Sequence, residues 1–333
     1  MKKRTRNSSI ELLRLLSVSG IVMMHCYSLI DEIHASASNI FLGFFINAVC
    51  NTGVTCFILT SGYFGVIWNR SKFVELAVLT TIYALLAGIF VHGFSITAMG
   101  TLLVIPCYTH WFVACYLLLM LISPYIDVMI REINHRQFKR LLIILFITLS
   151  LLPTLNIGHS NDSIVSGGGG KCFTCFVFSY LIGRYIRLYA DGFLNRRQAL
   201  VVFAGCTLLI LALNIGGSMV MGKRIINFHL DCSPLIIASS VAIFYFFKSY
   251  CFHSLFINSV ARSVFAICVM NSIYQFFDRE YVSLATHSAE PSFLLYFLFL
   301  TVVTWGSCVI AHFFVMALKS ICFWLVNRHH KCL

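Results

Sequence analysis

Long apolar runs, separated by short polar stretches rich in lysine and arginine, recur from the start of the chain to its end. They fall near residues 12–31, 41–67, 73–94, 111–130, 141–157, 172–190, 199–218, 234–250, 261–277 and 292–318. A helix needs about 20 mainly apolar residues to cross the hydrocarbon core of a bilayer, so the pattern predicts ten transmembrane helices. An even number returns the chain to its starting side. Composition then closes the alternative of a soluble fold: the sequence is 59% hydrophobic and only 11% charged, with a mean hydropathy of +0.88, too little polar material to keep a surface wet. Ten crossings use about 200 residues, which leaves too few for a separate soluble domain. The expectation is an all-α, polytopic membrane protein forming one domain over 1–333.

Charge adds the orientation. Of the 24 lysines and arginines, 19 fall in the tails and in the alternate loops on their side. Four fall in the five opposite loops, and one, Arg14, lies inside the first span. The positive-inside rule therefore predicts both termini on the cytoplasmic side, with the clusters Arg131/Arg136/Lys139/Arg140 and Arg184/Arg187/Arg196/Arg197. The net charge of +12 is dispersed among loops rather than gathered on a polar module, which points to topology and anionic lipid and excludes a nucleic-acid partner. Residues 95–110 fall on the outer side, where the run Thr101–Tyr108 either lies in the interface or re-enters. The basic, apolar start reads as a retained signal anchor.

Most of the fourteen cysteines sit within spans, where they behave as small hydrophobes. Cys172 and Cys175 form a lone CxxC without the further ligands of a metal site, so no metal is expected. Gly167–Gly170 lacks the spacing of a phosphate loop and reads as a flexible connection. The strongest chemical signal is in the first span, where Glu11, Arg14 and His25 interrupt an apolar helix. An arginine there costs about 2.5–3.5 kcal/mol on insertion scales and calls for an interior partner. Eleven residues at 100° make three turns plus about 20°, which puts Arg14 and His25 on one face, about 16 Å apart along the axis. Glu11, at i−3, shares that face. Periodicity alone fits equally well a functional stripe lining one passage and a structural ion pair beside a hydrogen-bonded histidine.

These residues also resemble a family, the integral-membrane acyltransferase-3 proteins, in particular bacterial polysaccharide O-acetyltransferases. The pattern Asn7–Arg14 followed by ten residues and His25 matches the family's first span. Cys56–Phe64 with basic Arg70 and Lys72, His110-Trp111-Phe112 with Ser123-Pro124, Leu181–Arg187, Ser233-Pro234 and Ile257-Asn258 recur in family-like order. One departure is Asn271, which ends Cys268-Val269-Met270-Asn271 where relatives commonly carry histidine; it can hydrogen-bond but cannot become cationic.

The resemblance implies transfer of an acetyl group from cytoplasmic acetyl-CoA to a sugar hydroxyl of a surface polysaccharide or lipid-linked oligosaccharide, in the bacterial inner membrane and with no tightly bound cofactor. His25 is then the expected general base, by direct transfer or through an acyl-imidazole. Arg14, oriented by Glu11, suits the anionic donor. Arg70 and Lys72 are further candidates for donor phosphates. Ser61 and Tyr63 are candidate donor contacts, although Ser-Gly-Tyr also permits close helix packing. His110, Trp111 and Asn271 are the candidate acceptor contacts, Trp111 serving equally well as an interfacial anchor. The rival reading is a transporter or flippase, against which stand the scarcity of buried acids and the absence of an evident repeat among the five prolines.

Overall fold

The computed structural model describes residues 7–28, 34–92, 110–156, 167–271 and 286–329; the run Thr101–Tyr108 lies outside them. All regular structure among the described residues is helical. In chain order the helices are α1 (Ser8–Tyr27), α2 (Ala37–Cys50), α3 (Thr52–Phe64), α4 (Arg70–His92), α5 (Trp111–Glu132) and α6 (His135–Phe146), then α7 (Phe173–Tyr189), α8 (Arg196–Met221), α9 (Pro234–Lys248), α10 (Leu255–Val260), α11 (Val264–Asn271) and α12 (Phe293–His329). Eight helical segments are long and apolar enough to cross a bilayer, and Leu255–Asn271 is a shorter apolar one. With the 17-residue α7, these account for all ten predicted spans. The outer faces carry bare aliphatic side chains: on α12, Leu295, Val302 and Ile310 are 72%, 68% and 71% exposed. Such a surface requires hydrocarbon as its solvent. This is a multi-pass membrane protein.

The second predicted span is not one helix. Asn51 closes α2 and opens α3, and its side-chain amide donates to the carbonyl of His229, while the Thr52 hydroxyl donates to Val49 O at 2.9 Å. Side chains thus answer the backbone groups freed at the break, as a low-dielectric setting demands. Two prolines are accommodated in the same way. Pro124, inside α5, cannot donate to Met120 O, and the Ser123 hydroxyl does so instead at 3.1 Å. Pro153 follows a π-helical turn over Ile147–Leu151, the local widening that relieves the clash between a proline ring and the preceding turn.

Two features position the site. The first is a clip at the start of α1. Asn7 caps Ser9 N at 3.0 Å and donates to Tyr250 O at 3.1 Å. The Ser8 hydroxyl donates to Asn258 Oδ1 at 2.9 Å and accepts from Ser254 N at 2.8 Å, and Ser9 donates to Phe247 O at 2.6 Å. The Asn-Ser-Ser sequence and Asn258 are therefore the two halves of one joint. The second feature is the contact of α3 with α7. A Cβ on Gly62 would lie 2.2 Å from Tyr180 O, and one on Gly183 would lie 2.2 Å from Leu59 O. Only glycine lets these two backbones meet.

The glycine run is a packed element rather than a slack connection. Gly167–Gly170 all have positive φ, Gly169 O accepts from Cys232 N at 3.3 Å, and a Cβ on Gly170 would fall 2.6 Å from that nitrogen. The run is thus folded against the 230–232 loop, in a conformation that L side chains rarely adopt.

Candidate functional site

A cavity of about 960 Å³ opens beside the first turns of α1, at the end of the bundle where α3 finishes and α4 begins. Its mouth is polar and largely basic: Glu11, Arg14, Ser61, Tyr63, Lys72, Arg187 and Lys248 all line it. Deeper in, the lining turns aromatic and apolar, with Phe57, Phe112, Tyr116, Phe265 and Cys268. Four of the five residues predicted to meet the donor thus converge on one cavity from three different helices. The fifth, Arg70, is exposed and is not part of this lining.

The pair expected from the i,i+3 spacing is formed. Arg14 Nη1 donates to Glu11 Oε2 at 3.0 Å, with side-chain exposures of 36% and 11%. The carboxylate holds one edge of the guanidinium, and the remaining N–H groups can meet an anion in the cavity. Tyr63 is built into a second cluster: its hydroxyl donates to Asp191 and accepts from Arg187 Nη1 at 3.0 Å, while Lys248 Nζ lies 2.8 Å from Asp191 Oδ1. Tyr63 also follows Gly62 at the close contact with α7, so it serves packing and site together. The Ser61 hydroxyl is bonded back to Phe57 O at 3.0 Å.

The sequence reading missed three lining residues. Lys248 was counted only as a topology charge, and Arg187 as one that also closes the family-like run Leu181–Arg187. Thr60, whose hydroxyl oxygen is buried without a hydrogen-bond partner among the described residues, stood only within the family-like run Cys56–Phe64. Arg187 lies one turn beyond Gly183 on α7, on the face that meets α3, and that i,i+4 spacing was a second cue to it.

His25 is eleven residues deeper than Arg14 on α1, about 16 Å at 1.5 Å per residue. It does not itself line the cavity. Its Nδ1 lies 2.8 Å from Asn271 Nδ2, and Asn271 stands one turn beyond Cys268 of the lining, so the inner end of the cavity and the imidazole are joined through α11. The Lys171 ammonium, on the glycine loop, is near enough to act electrostatically on the same ring. Trp111, half-buried at the first position of α5, packs edge-on to Phe176 at 5.8 Å and to Phe112 at 6.1 Å. His110 precedes α5, and burial lowers its pKa. His229 and His312 pair with Asn214 at 3.0 Å and Tyr83 at 2.8 Å. Among the described residues no group of His, Cys, Asp and Glu is arranged to hold a metal.

The structure is thus a polytopic helical bundle with a basic vestibule and a half-buried imidazole further along α1. Comparison with known families makes the assignment: residues 7–312 match the acyltransferase domain of the acyltransferase-3 proteins, and the chain belongs to that family. No curated protein matches, and no solved structure does.

Proposed function

We propose that this protein transfers an acetyl group from acetyl-CoA, taken from the cytoplasm, to a sugar hydroxyl of a surface polysaccharide on the opposite side of the bacterial inner membrane. One observation carries the reading: a cavity with a cationic mouth and an apolar interior ends one helical turn from the Asn271–His25 pair. A CoA thioester has the matching polarity, with phosphates at one end and a small apolar acyl group at the other. Arg14, Lys72, Arg187 and Lys248 suit the phosphates, and the aromatic interior suits the arm that carries the acyl group. His110 and Trp111 remain our candidates for the acceptor side. In this reading the basic end faces the cytoplasm and the whole chain acts as one membrane domain.

The chemistry balances without a cofactor. His25 Nε2 takes the proton of the acceptor hydroxyl as its oxygen attacks the thioester carbonyl, so a C–O bond forms. The tetrahedral intermediate collapses, the C–S bond breaks, and the departing thiolate takes the proton from the imidazolium. The products are an ester and a free thiol, and the imidazole is neutral again. Purified protein in detergent, mixed with radiolabelled acetyl-CoA and the glycan, tests this. Label in the glycan is the expected result; label that moves only when the protein sits in sealed vesicles would make it a transporter instead.

A further inference from the structure

Asn271 is the last described residue of α11 and is almost fully buried. Its amide meets His25 Nδ1 at 2.8 Å across two helices, and in the orientation recorded, with Nδ2 toward the ring, its Oδ1 is buried without a partner among the described residues. The two ends of a carboxamide are nearly the same size, so a half-turn of the amide exchanges them without moving the helix. We propose that Asn271 is the positioning residue of the base: with Oδ1 turned to the ring it accepts from His25 Nδ1–H, fixes the tautomer whose lone pair is on Nε2, and holds the ring while it carries the extra proton. The proposal deepens the acyl-transfer reading and rests on it.

The argument is one of hydrogen-bond complementarity. An imidazole that has taken a proton on Nε2 has N–H groups at both nitrogens. An amide N–H aimed at Nδ1 would then oppose another N–H, whereas Oδ1 meets it with an acceptor. The recorded orientation also puts the neutral ring's proton on Nε2, where it blocks proton abstraction. A carboxamide, unlike a carboxylate, orients the ring without adding a charge beside it, so the base stays available in its neutral form.

Two measurements test this. In detergent-solubilised protein carrying ¹⁵N-histidine, the ring nitrogens of His25, identified by loss of their signals in His25→Gln, should show a protonated Nδ1 and an unprotonated Nε2. In Asn271→Leu the two tautomers should mix. A wild-type ring protonated on Nε2 overturns the proposal, and this readout does not depend on catalysis. In the transfer assay, Asn271→Leu should lose about 10- to 100-fold in kcat with little change in KM for acetyl-CoA. Asn271→Asp restores an acceptor and adds a charge, so it should regain rate while the acid limb of its pH–rate profile moves up by about one unit or more. An unmoved acid limb counts against Asn271. Wild-type protein that keeps the Nδ1–H tautomer yet transfers no acetyl counts against the reading of the reaction.

Discussion

A guanidinium and an imidazole on one face of α1 answer to different tests, because one suits charge binding and the other proton transfer. Removing the imidazole in His25→Ala should lower acetyl transfer about 10²–10⁴-fold while leaving the amount of protein in the membrane unchanged; near-normal ester content on the glycan would take His25 out of the mechanism. Arg14→Lys keeps the charge but loses the planar fork that Glu11 holds at 3.0 Å, so the KM for acetyl-CoA should rise. An unchanged KM would leave the ion pair a structural role only. At this scale the sequence was informative wherever partners lie within a few turns of one helix: Glu11, Arg14 and His25 followed from 100° per residue. Asn271 did not, because it is 246 residues from His25 in the chain, and only packing brings α11 against α1. Arg187 and Lys248 were hidden for a related reason, since a cation near a helix end satisfies the topology rule whether or not it also lines a cavity.

Between helices, the glycine contact of α3 with α7 and the clip under α1 carry separate expectations. Gly183→Leu puts its first carbon 2.2 Å from Leu59 O and 2.8 Å from Tyr63 N, well inside van der Waals contact with backbone atoms that cannot step aside. The helices must part, and a loss of about 1–3 kcal/mol in detergent melts is expected. Gly192→Ala, with nothing within 4 Å of its would-be Cβ, is the control. Asp191 gives a pH dependence. Burial acts to raise its pKa, but hydrogen bonds from Lys248 and Tyr63 outweigh it and hold the carboxyl below the usual carboxylate range. Its contribution to stability is therefore present above the unfolded value, near 4, and is lost as pH falls through the folded one. The melting temperature should therefore drop below about pH 4, and less steeply in Asp191→Asn.

Element existence was legible because hydropathy over 20 residues is a strong signal. The break at Asn51 was not, since the residues on both sides are equally apolar and the cause is a distant carbonyl on His229. The packed glycine run was misjudged for the same reason: composition reports freedom, and contact with the 230–232 loop removes it.

For the molecule as a whole, the direction of insertion has its own test. Cys251 is exposed on the loop after α9, and Cys172 is half-buried beside the glycine loop at the opposite end of the spans. The Cys172 sulfur stands at the N-terminus of α7, 3.1 Å from the Thr174 hydroxyl, a setting that favours the reactive thiolate. A membrane-impermeant maleimide applied to intact cells should label Cys172 and spare Cys251. The reverse pattern would invert the topology and with it the side from which the donor enters.

The backbone-to-backbone seat of Gly62 on Gly183 also bears on how substrates come and go. Thr60, Ser61 and Tyr63 on one helix and Arg187 on the other ride on that seat, so one jaw of the vestibule is locked as a unit. On the proposed function, the widening that admits the donor comes from the facing side, where α4 supplies Lys72 and Glu75. Glu75 is tied to α12 through Lys319 by an ion pair of 2.6 Å, and Tyr83, further along α4, bonds His312 of α12 at 2.8 Å. In the proposed reaction, opening is then a bend of the first turns of α4 away from a fixed anvil, pivoting on the buried Tyr83–His312 bond and released when the surface Glu75–Lys319 pair breaks.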